Sequence, residues 1–192
     1  MLRVKGKKKS FLYIISGKLK GRKIFFYENE ALKPTKNKVR ETLFNWLGPI
    51  LINSYIIDLF SGSGILGFEC FSRGAKSVIM LEIDNIRYMN ILENKYLFNI
   101  DSGIEVINGD SYIWIIKNNL FKNSIILLDP PFKISFLIKC FLIVEQIFLN
   151  KKIILYIEFN TDSILNFLPL TWIVLRKGKS NNVFFYLIAK IK

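Results

Sequence analysis

Residues 58–69 read Asp-Leu-Phe-Ser-Gly-Ser-Gly-Ile-Leu-Gly-Phe-Glu, "DLFSGSGILGFE". An apolar run over residues 54–59 leads into this stretch, and a helical pattern over 66–73 leads out of it. Gly62, Gly64 and Gly67 fit G-x-G-x-x-G at a strand-to-helix turn, the opening unit of a doubly wound α/β fold. The glycines alone leave two ligands open. Such a loop cradles a pyrophosphate at a helix N-terminus, and it equally lets a backbone approach a nucleoside. Asp58, at the carboxyl end of the strand, separates them. A carboxylate there repels a pyrophosphate and attracts a cation. S-adenosylmethionine carries two, an ammonium and a sulfonium.

Working downstream, the rhythm continues. Strands are expected over 77–81, 104–107, 124–128 and 152–157, and helices over 85–99, 111–120 and 134–150. A short helix is expected over 163–167. Strands over 172–176 and 183–189 close the chain as an antiparallel pair around Gly178-Lys179-Ser180-Asn181-Asn182. Alternating β and α predicts a Rossmann-like α/β fold with a seven-stranded, mostly parallel sheet and an antiparallel C-terminal strand. Upstream, runs over 11–16 and 23–27 flank Gly17-Lys18-Leu19-Lys20-Gly21 and read as a β-hairpin with cations at its tip. After Leu32-Lys33-Pro34-Thr35 comes a helical stripe of Val39, Leu43 and Leu47, widened by Phe44 and Trp46. Thr35 is the expected N-cap, and Gly48-Pro49 stops the helix. The expected division is residues 1–30 as a basic tail and hairpin, and 31–192 as the catalytic domain.

At 192 residues and 51% apolar content, the chain can bury one sizeable core. It lacks an uncharged apolar run of about 20 residues, so no membrane span is expected. The basic N-terminus lacks an apolar signal core, and a cytoplasmic location is expected. Cys70 and Cys140 stand alone in apolar surroundings and read as buried reduced thiols. There is no histidine, which removes imidazole bases and His-ligated metals; no metal site is expected. Formal net charge is +13, and nine basic residues precede the first acid, Glu28. That clustering points to a polyanion, for which nucleic acid is the preferred partner.

Two further strand tips carry acids. Glu82 follows Gly62 by 20 residues, at the tip of the next strand, where a carboxylate suits ribose hydroxyls. Asp110 follows Asn108-Gly109 and suits an adenine amino group. The fourth strand ends in "ILLDPPF", residues 126–132. Two prolines end the strand and present no N–H donors. Asp129 and a carbonyl of Pro130 or Pro131 offer acceptors to an exocyclic base amine, and Phe132 offers a stacking face. Holding both N–H protons turns the amine lone pair toward a methyl donor. The target base must leave its stack to arrive there.

The segments "YIISGKLKGRKIFF", "LKPTKNKVRETLFNWL", "DLFSGSGILGFE", "LEID" and "LLDPPF" occur in an order that resembles bacterial 16S rRNA guanine-N2 methyltransferases of the RsmD type. The similarity runs from about Tyr13 to the last strand. It departs mildly at Asn37, where the family often has Asp, and at Ser61, where it often has Ala. The resemblance implies a class I S-adenosylmethionine-dependent fold. It also implies methylation of one guanine N2 in 16S rRNA, within the small ribosomal subunit or its assembly intermediate. Asp58, Gly62 and Gly64 would hold the methionine end, Glu82 the ribose, and Asp110 the adenine. Phe60, Ser61, Ile83 and Ser111 complete the candidate cofactor set. Asp129, Pro130, Pro131 and Phe132 would grip the guanine. Lys18, Lys20, Arg22, Lys23 and Arg40 are the candidate RNA contacts, and the protein is expected to be a monomer. Three other readings remain open on the residues: an adenine-N6 or cytosine-N4 methyltransferase, a non-catalytic rRNA-binding assembly factor, and an NAD-dependent enzyme.

Overall fold

The computed structural model describes residues 8–28, 34–118, 124–130, 134–147 and 153–190. A hairpin of β1 (Lys9–Tyr13) and β2 (Lys23–Tyr27) precedes α1 (Asn37–Leu47) and a 3₁₀ turn (Gly48–Leu51). Then β3 (Tyr55–Asp58), α2 (Ile65–Ser72), β4 (Ser77–Glu82), α3 (Asn85–Leu97), β5 (Ile104–Asn108) and α4 (Ser111–Lys117) alternate. The second half holds β6 (Ser124–Leu128), α5 (Ile134–Ile147), β7 (Ile154–Phe159), a 3₁₀ segment (Asp162–Phe167), β8 (Trp172–Ser180) and β9 (Val183–Lys190). The seven-stranded sheet runs β5-β4-β3-β6-β7-β9-β8, with β9 antiparallel to both neighbours. This is the expected class I methyltransferase architecture. The winding reverses between β3 and β6, so a ligand crevice opens at their carboxyl ends.

Period-two alternation divides the strands between two cores. Ile56, Leu127, Tyr156 and Leu187 face Val39, Leu43, Phe44 and Leu47 of α1 together with α2 and α3. Ile57, Ile126, Leu128 and Ile157 face Ile115 of α4 and Phe141 and Val144 of α5. The predicted stripe of α1 is thus the buried one, and Trp46 packs its ring 5.2 Å from Phe185. Gly67 explains the third glycine of the motif. A Cβ there would lie 2.4 Å from the Met80 sulfur, so α2 presses on β4 only because that position is bare. Cys70 and Cys140 are buried and unpaired.

Several boundaries moved. β1 begins and ends earlier than expected, because the amide of Ile15 and the carbonyl of Ser16 bond to α2 instead of continuing the ladder. Thr35 does not cap α1; Lys36 holds that position and makes no side-chain cap bond. β7 starts and ends two residues later than expected. β8 extends to Ser180, with a register shift between Val174 and Arg176, and the turn shrinks to Asn181-Asn182. Asn181 supplies the left-handed residue there, at φ 53°. Helix α4 ends at Lys117, since Asn118 is extended. The last expected residues of the fourth and fifth helices, 119–120 and 148–150, lie outside the described residues. Among the described residues, no helix is long and apolar enough to cross a membrane.

Candidate active site

Asp58 closes β3 and is 2% exposed. Among the described residues no Lys or Arg pairs with it. Burial pushes its carboxyl up to about 7. Hydrogen bonds from Ser61 and the Phe60 main chain pull the other way, and the Glu82 charge adds a further rise. The Ser61 hydroxyl also donates to the Asp58 main-chain carbonyl at 3.1 Å, fixing the start of the glycine loop. A buried carboxylate with no internal cation fits a cationic ligand, and so fits the ammonium and sulfonium of S-adenosylmethionine.

Glu82 closes β4 and reaches across to that loop. Its Oε2 accepts from the Gly62 amide at 2.8 Å and its Oε1 from the Asp84 amide at 2.9 Å. Burial raises its pKa against these bonds and the nearby Arg87. A carboxylate has about four acceptor positions, so two remain for hydroxyls. Ile83 beside it is 68% exposed and offers an apolar ledge for a flat ring. The Asn108 amide donates to the Glu82 carbonyl at 2.9 Å, lacing the tips of β4 and β5. Asp110 caps α4, its Oδ1 accepting from the amides of Tyr112 (2.7 Å) and Ile113 (3.2 Å). The Ser111 hydroxyl donates to the Leu59 carbonyl, and Phe60 meets the Tyr112 ring edge-on at 6.1 Å. The structure therefore brings Asp58, Phe60, Ser61, Gly62, Gly64, Glu82, Ile83, Asp110 and Ser111 to one end of the sheet. It gives Asp110 a capping bond that the sequence had not suggested.

On the far side of the switch point, Leu128 pairs with Ile157 in the parallel β6–β7 ladder. The next pair in register is Asp129 and Glu158. Asp58 pairs with Leu127 in the β3–β6 ladder, two residues before Asp129. All three carboxyl groups therefore project from one face at adjacent strand tips. Asp129 is half-buried and Pro130 buried. Pro131 and Phe132 lie outside the described residues. Glu158, 5% exposed, accepts from the Tyr156 hydroxyl at 2.8 Å. Thr35, buried at the entrance to α1, lies beside Asp129 and Glu158, and its hydroxyl holds the pKa of each down against their burial. Burial raises the pKa of both acids, Glu158 to about 7 and Asp129 well above the ordinary carboxylate range, where the charges of Glu158 and Asp58 raise it further.

Glu158 and Thr35 escaped the sequence reading. The expected strand over 152–157 stops one residue short of Glu158, and Thr35 is expected as an N-cap. The available signal was an acid near the end of the fifth strand, "LYIEF", the strand that follows "LLDPPF".

The hairpin keeps Lys18, Lys20, Arg22 and Lys23 exposed. Lys23 lies 4.5 Å from the Phe11 ring centre and 5.6 Å from that of Tyr13, both half-exposed rings. Lys18 covers the Phe71 ring at 3.5 Å, and Arg22 donates to the Leu97 carbonyl at 2.7 Å. Arg40 corrects the expectation of an RNA contact. It is 0% exposed. Its guanidinium meets Glu69 at 2.8 Å, the Tyr13 carbonyl at 3.0 Å, and Asn37. It clamps the hairpin onto α1 and α2, and no surface is left for a phosphate.

The family model described as Conserved hypothetical protein 95 matches residues 12–189. "Ribosomal RNA small subunit methyltransferase D" of Buchnera aphidicola (subsp. Acyrthosiphon pisum) is 36% identical over 182 residues, 94% of each chain. The solved structure of "Putative methyltransferase yhhF from Escherichia coli" superposes with a TM-score of 0.83 at 27% identity, covering 95% of this chain and 99% of that one. A structure of SMU.776 complexed with SAH shares the fold, with a TM-score of 0.68 at 17% identity over 88% of this chain and 54% of that one.

Proposed function

Because the chain belongs to the Conserved hypothetical protein 95 family, among proteins named ribosomal RNA small subunit methyltransferase D, we propose that it methylates the exocyclic N2 of one guanine in 16S rRNA. It is a methyltransferase, and its cofactor is S-adenosylmethionine. The observation that carries the reading is the pairing across the switch point. Asp58, a buried acid suited to the cofactor's cations, stands one strand from Asp129, an acid suited to the target amine.

The bound cofactor supplies an electrophilic methyl group on a sulfonium that becomes a neutral thioether when the methyl leaves. The chain supplies position and charge. Asp58, with the glycine loop at Phe60, Ser61, Gly62 and Gly64, holds the methionine end. Glu82 holds the ribose, and Ile83, Asp110 and Ser111 border the adenine. Asp129 and the Pro130 carbonyl accept hydrogen bonds from the two amine N–H groups, which aligns the nitrogen lone pair with the methyl carbon. One of these protons must leave after transfer, and Asp129 is the nearest acceptor. Pro131 and Phe132 complete the grip on the base. The unit comprising residues 1–30 contacts RNA phosphates through Lys18, Lys20, Arg22 and Lys23, and residues 31–192 carry the chemistry on a monomer.

The test is transfer of labelled methyl from S-adenosylmethionine to small-subunit particles that lack the modification, with the nucleoside identified by mass spectrometry. N2-methylguanosine is the expected product. A methylated adenine or cytosine would keep the mechanism and replace the substrate. RNA binding without any transfer would favour an assembly role.

A further inference from the structure

Like residues 1–27, residues 163–192 carry no acid, and their five basic residues include Arg176, Lys177 and Lys179 near the end of β8. The sheet register decides where these stand. β9 runs antiparallel to β7, with Phe185 opposite Glu158 and Phe184 opposite Phe159. Gly178 in turn pairs with Phe185, and Lys179 with Phe184. The row of Asp129 and Glu158 thus continues through Phe185 to Gly178, three strand spacings or about 14 Å away. The Asn181-Asn182 turn lies beyond that row, so the β8–β9 tip leaves the sheet at the same end as the crevice. In the strand order β8 is the edge opposite β5, whereas the N-terminal hairpin is bonded to α2 and α3 on the β3–β5 half.

The tip is braced on both faces. A Cβ at Gly178 would lie 2.4 Å from the Phe185 ring, so that ring covers the bare glycine, and Trp46 of α1 packs on it from the other side at 5.2 Å. On the opposite face Lys177 pairs with Asp162 at 2.8 Å, and the Tyr186 hydroxyl donates to the same carboxylate. Two cations are left over. Lys179 extends over the Phe184 ring at 4.7 Å, and Arg176 donates to the Leu175 carbonyl at 2.8 Å. Both are exposed, and among the described residues no acid pairs with either. Asn181 and Asn182 beside them are exposed as well. Cations held on a rigid projection and not neutralised from within favour a phosphate backbone, which releases its counterions on contact.

We propose that the β8–β9 tip is a second RNA-binding surface, in which Arg176 and Lys179 hold phosphates of the nucleotides flanking the target base. The target leaves its stack to enter the crevice, so the strand on either side of it needs a hold. The N-terminal hairpin serves one half of the sheet and this tip the other. The inference rests on the proposed function for RNA as the substrate. Lysines on an edge strand also guard against pairing with another chain, and that role makes no demand on phosphate.

The experiment measures binding of the full-length protein to small-subunit particles that lack the modification, across a series of salt concentrations. Arg176→Gln combined with Lys179→Gln should flatten the dependence of log K on log salt by about 1.4, at about 0.7 per contact to a single strand. It should weaken binding at about 0.15 M salt by roughly tenfold. The kcat at saturating particles and the affinity for S-adenosylmethionine should stay at the wild-type level, which also shows that the variant is folded. Arg176→Lys combined with Lys179→Arg should keep the wild-type slope. Lys117→Gln should keep it too, since Lys117 is exposed at the end of α4 remote from the crevice. A wild-type slope in the double glutamine variant overturns the proposal, as does a flattening by Lys117→Gln that is as large per charge. A double variant that self-associates in sedimentation while binding with the wild-type slope assigns the two cations to edge protection, and overturns it as well. If the wild-type protein binds the particles but transfers no methyl group, the proposed function fails while the slopes still decide the tip. If it does not bind them, both fall.

Discussion

Burial, more than any neighbouring charge, sets the ionisation of Asp58 near 7. A carboxyl whose folded pKa is raised contributes its stability fully below its unfolded value of about 3.9, and loses it as pH rises through the folded value. For a shift of this size the loss is on the order of 4 kcal/mol. Urea denaturation of the ligand-free protein should therefore show stability falling between about pH 4 and pH 7, with a shallower fall in Asp58→Asn. The cofactor's cations reverse the preference, so binding near neutral pH should release a proton from Asp58. Titration calorimetry in buffers of different ionisation enthalpy measures that release; equal release by wild type and Asp58→Asn would exclude Asp58 as its source. At the base side of the crevice, Asp129→Ala should abolish methyl transfer and leave cofactor binding intact, because on the proposed reading Asp129 accepts from the substrate amine and lies beyond the glycine loop. Wild-type-like turnover in that variant would remove Asp129 from the mechanism. The acids on the strand tips were legible because G-x-G-x-x-G fixes where the strands end. Thr35, Arg40 and Glu158 were not. A threonine before a helix and an arginine on one look the same in sequence whether they face water or a buried carboxylate. Only the fold brings Glu69 to Arg40, across 29 residues of chain.

At the level of elements, α1 and α2 do more than cover the sheet. Ser72 at the end of α2 holds the hairpin at three points: its hydroxyl donates to the Ser16 carbonyl and accepts from the Leu19 amide, and its carbonyl accepts from the Lys18 amide. Glu69, one turn earlier, accepts from Ile15 and Arg40. Gly17 sits where these meet, at φ 82°, and a Cβ there would fall 1.9 Å from the Ser72 carbonyl oxygen. Gly17→Ala should thus undock the hairpin. Hydrogen exchange over residues 9–27 should accelerate, while cofactor affinity is retained; unchanged exchange there would show that the clash is absorbed. Arg40→Ala should be more severe, destabilising the protein by about 1.5–3 kcal/mol in chemical denaturation, because it removes the buried guanidinium from Glu69 and leaves that carboxylate only Arg73, at 3.2 Å, and the Ile15 amide. A loss under about 1 kcal/mol, as for an exposed pair, would count against the clamp. Element types were readable from periodicity throughout. The ends that moved are those where a side chain or a turn competes with the ladder, as at Ile15, Thr35 and Asn181.

For the molecule as a whole, charge and shape point the same way. The excess of +13 is concentrated before Glu28, and the described part of that stretch forms a hairpin whose exposed rings alternate with lysines. Lys20 and Lys23 are the cleanest probes, since Lys18 and Arg22 also anchor the hairpin to Phe71, Phe98 and Leu97. Changing both to glutamine should flatten the dependence of log K on log salt by about 0.7–0.9 per lost phosphate contact. Deleting residues 1–9 should flatten it further, and a slope unchanged in both variants would mark the basic end as passive. One helix finally fixes how these two activities are spaced. The N-terminus of α2 emerges from the cofactor loop, and its C-terminus grips the hairpin. Eight residues separate the two ends, about 12 Å of rigid rod. On the proposed reading that the hairpin holds RNA, that rod acts as a caliper: the RNA is presented to the methyl group at a set reach and a set angle. Adding one residue to the rod would swing the hairpin by about 100° around its axis, and the enzyme would then keep its cofactor and its RNA while missing its nucleotide.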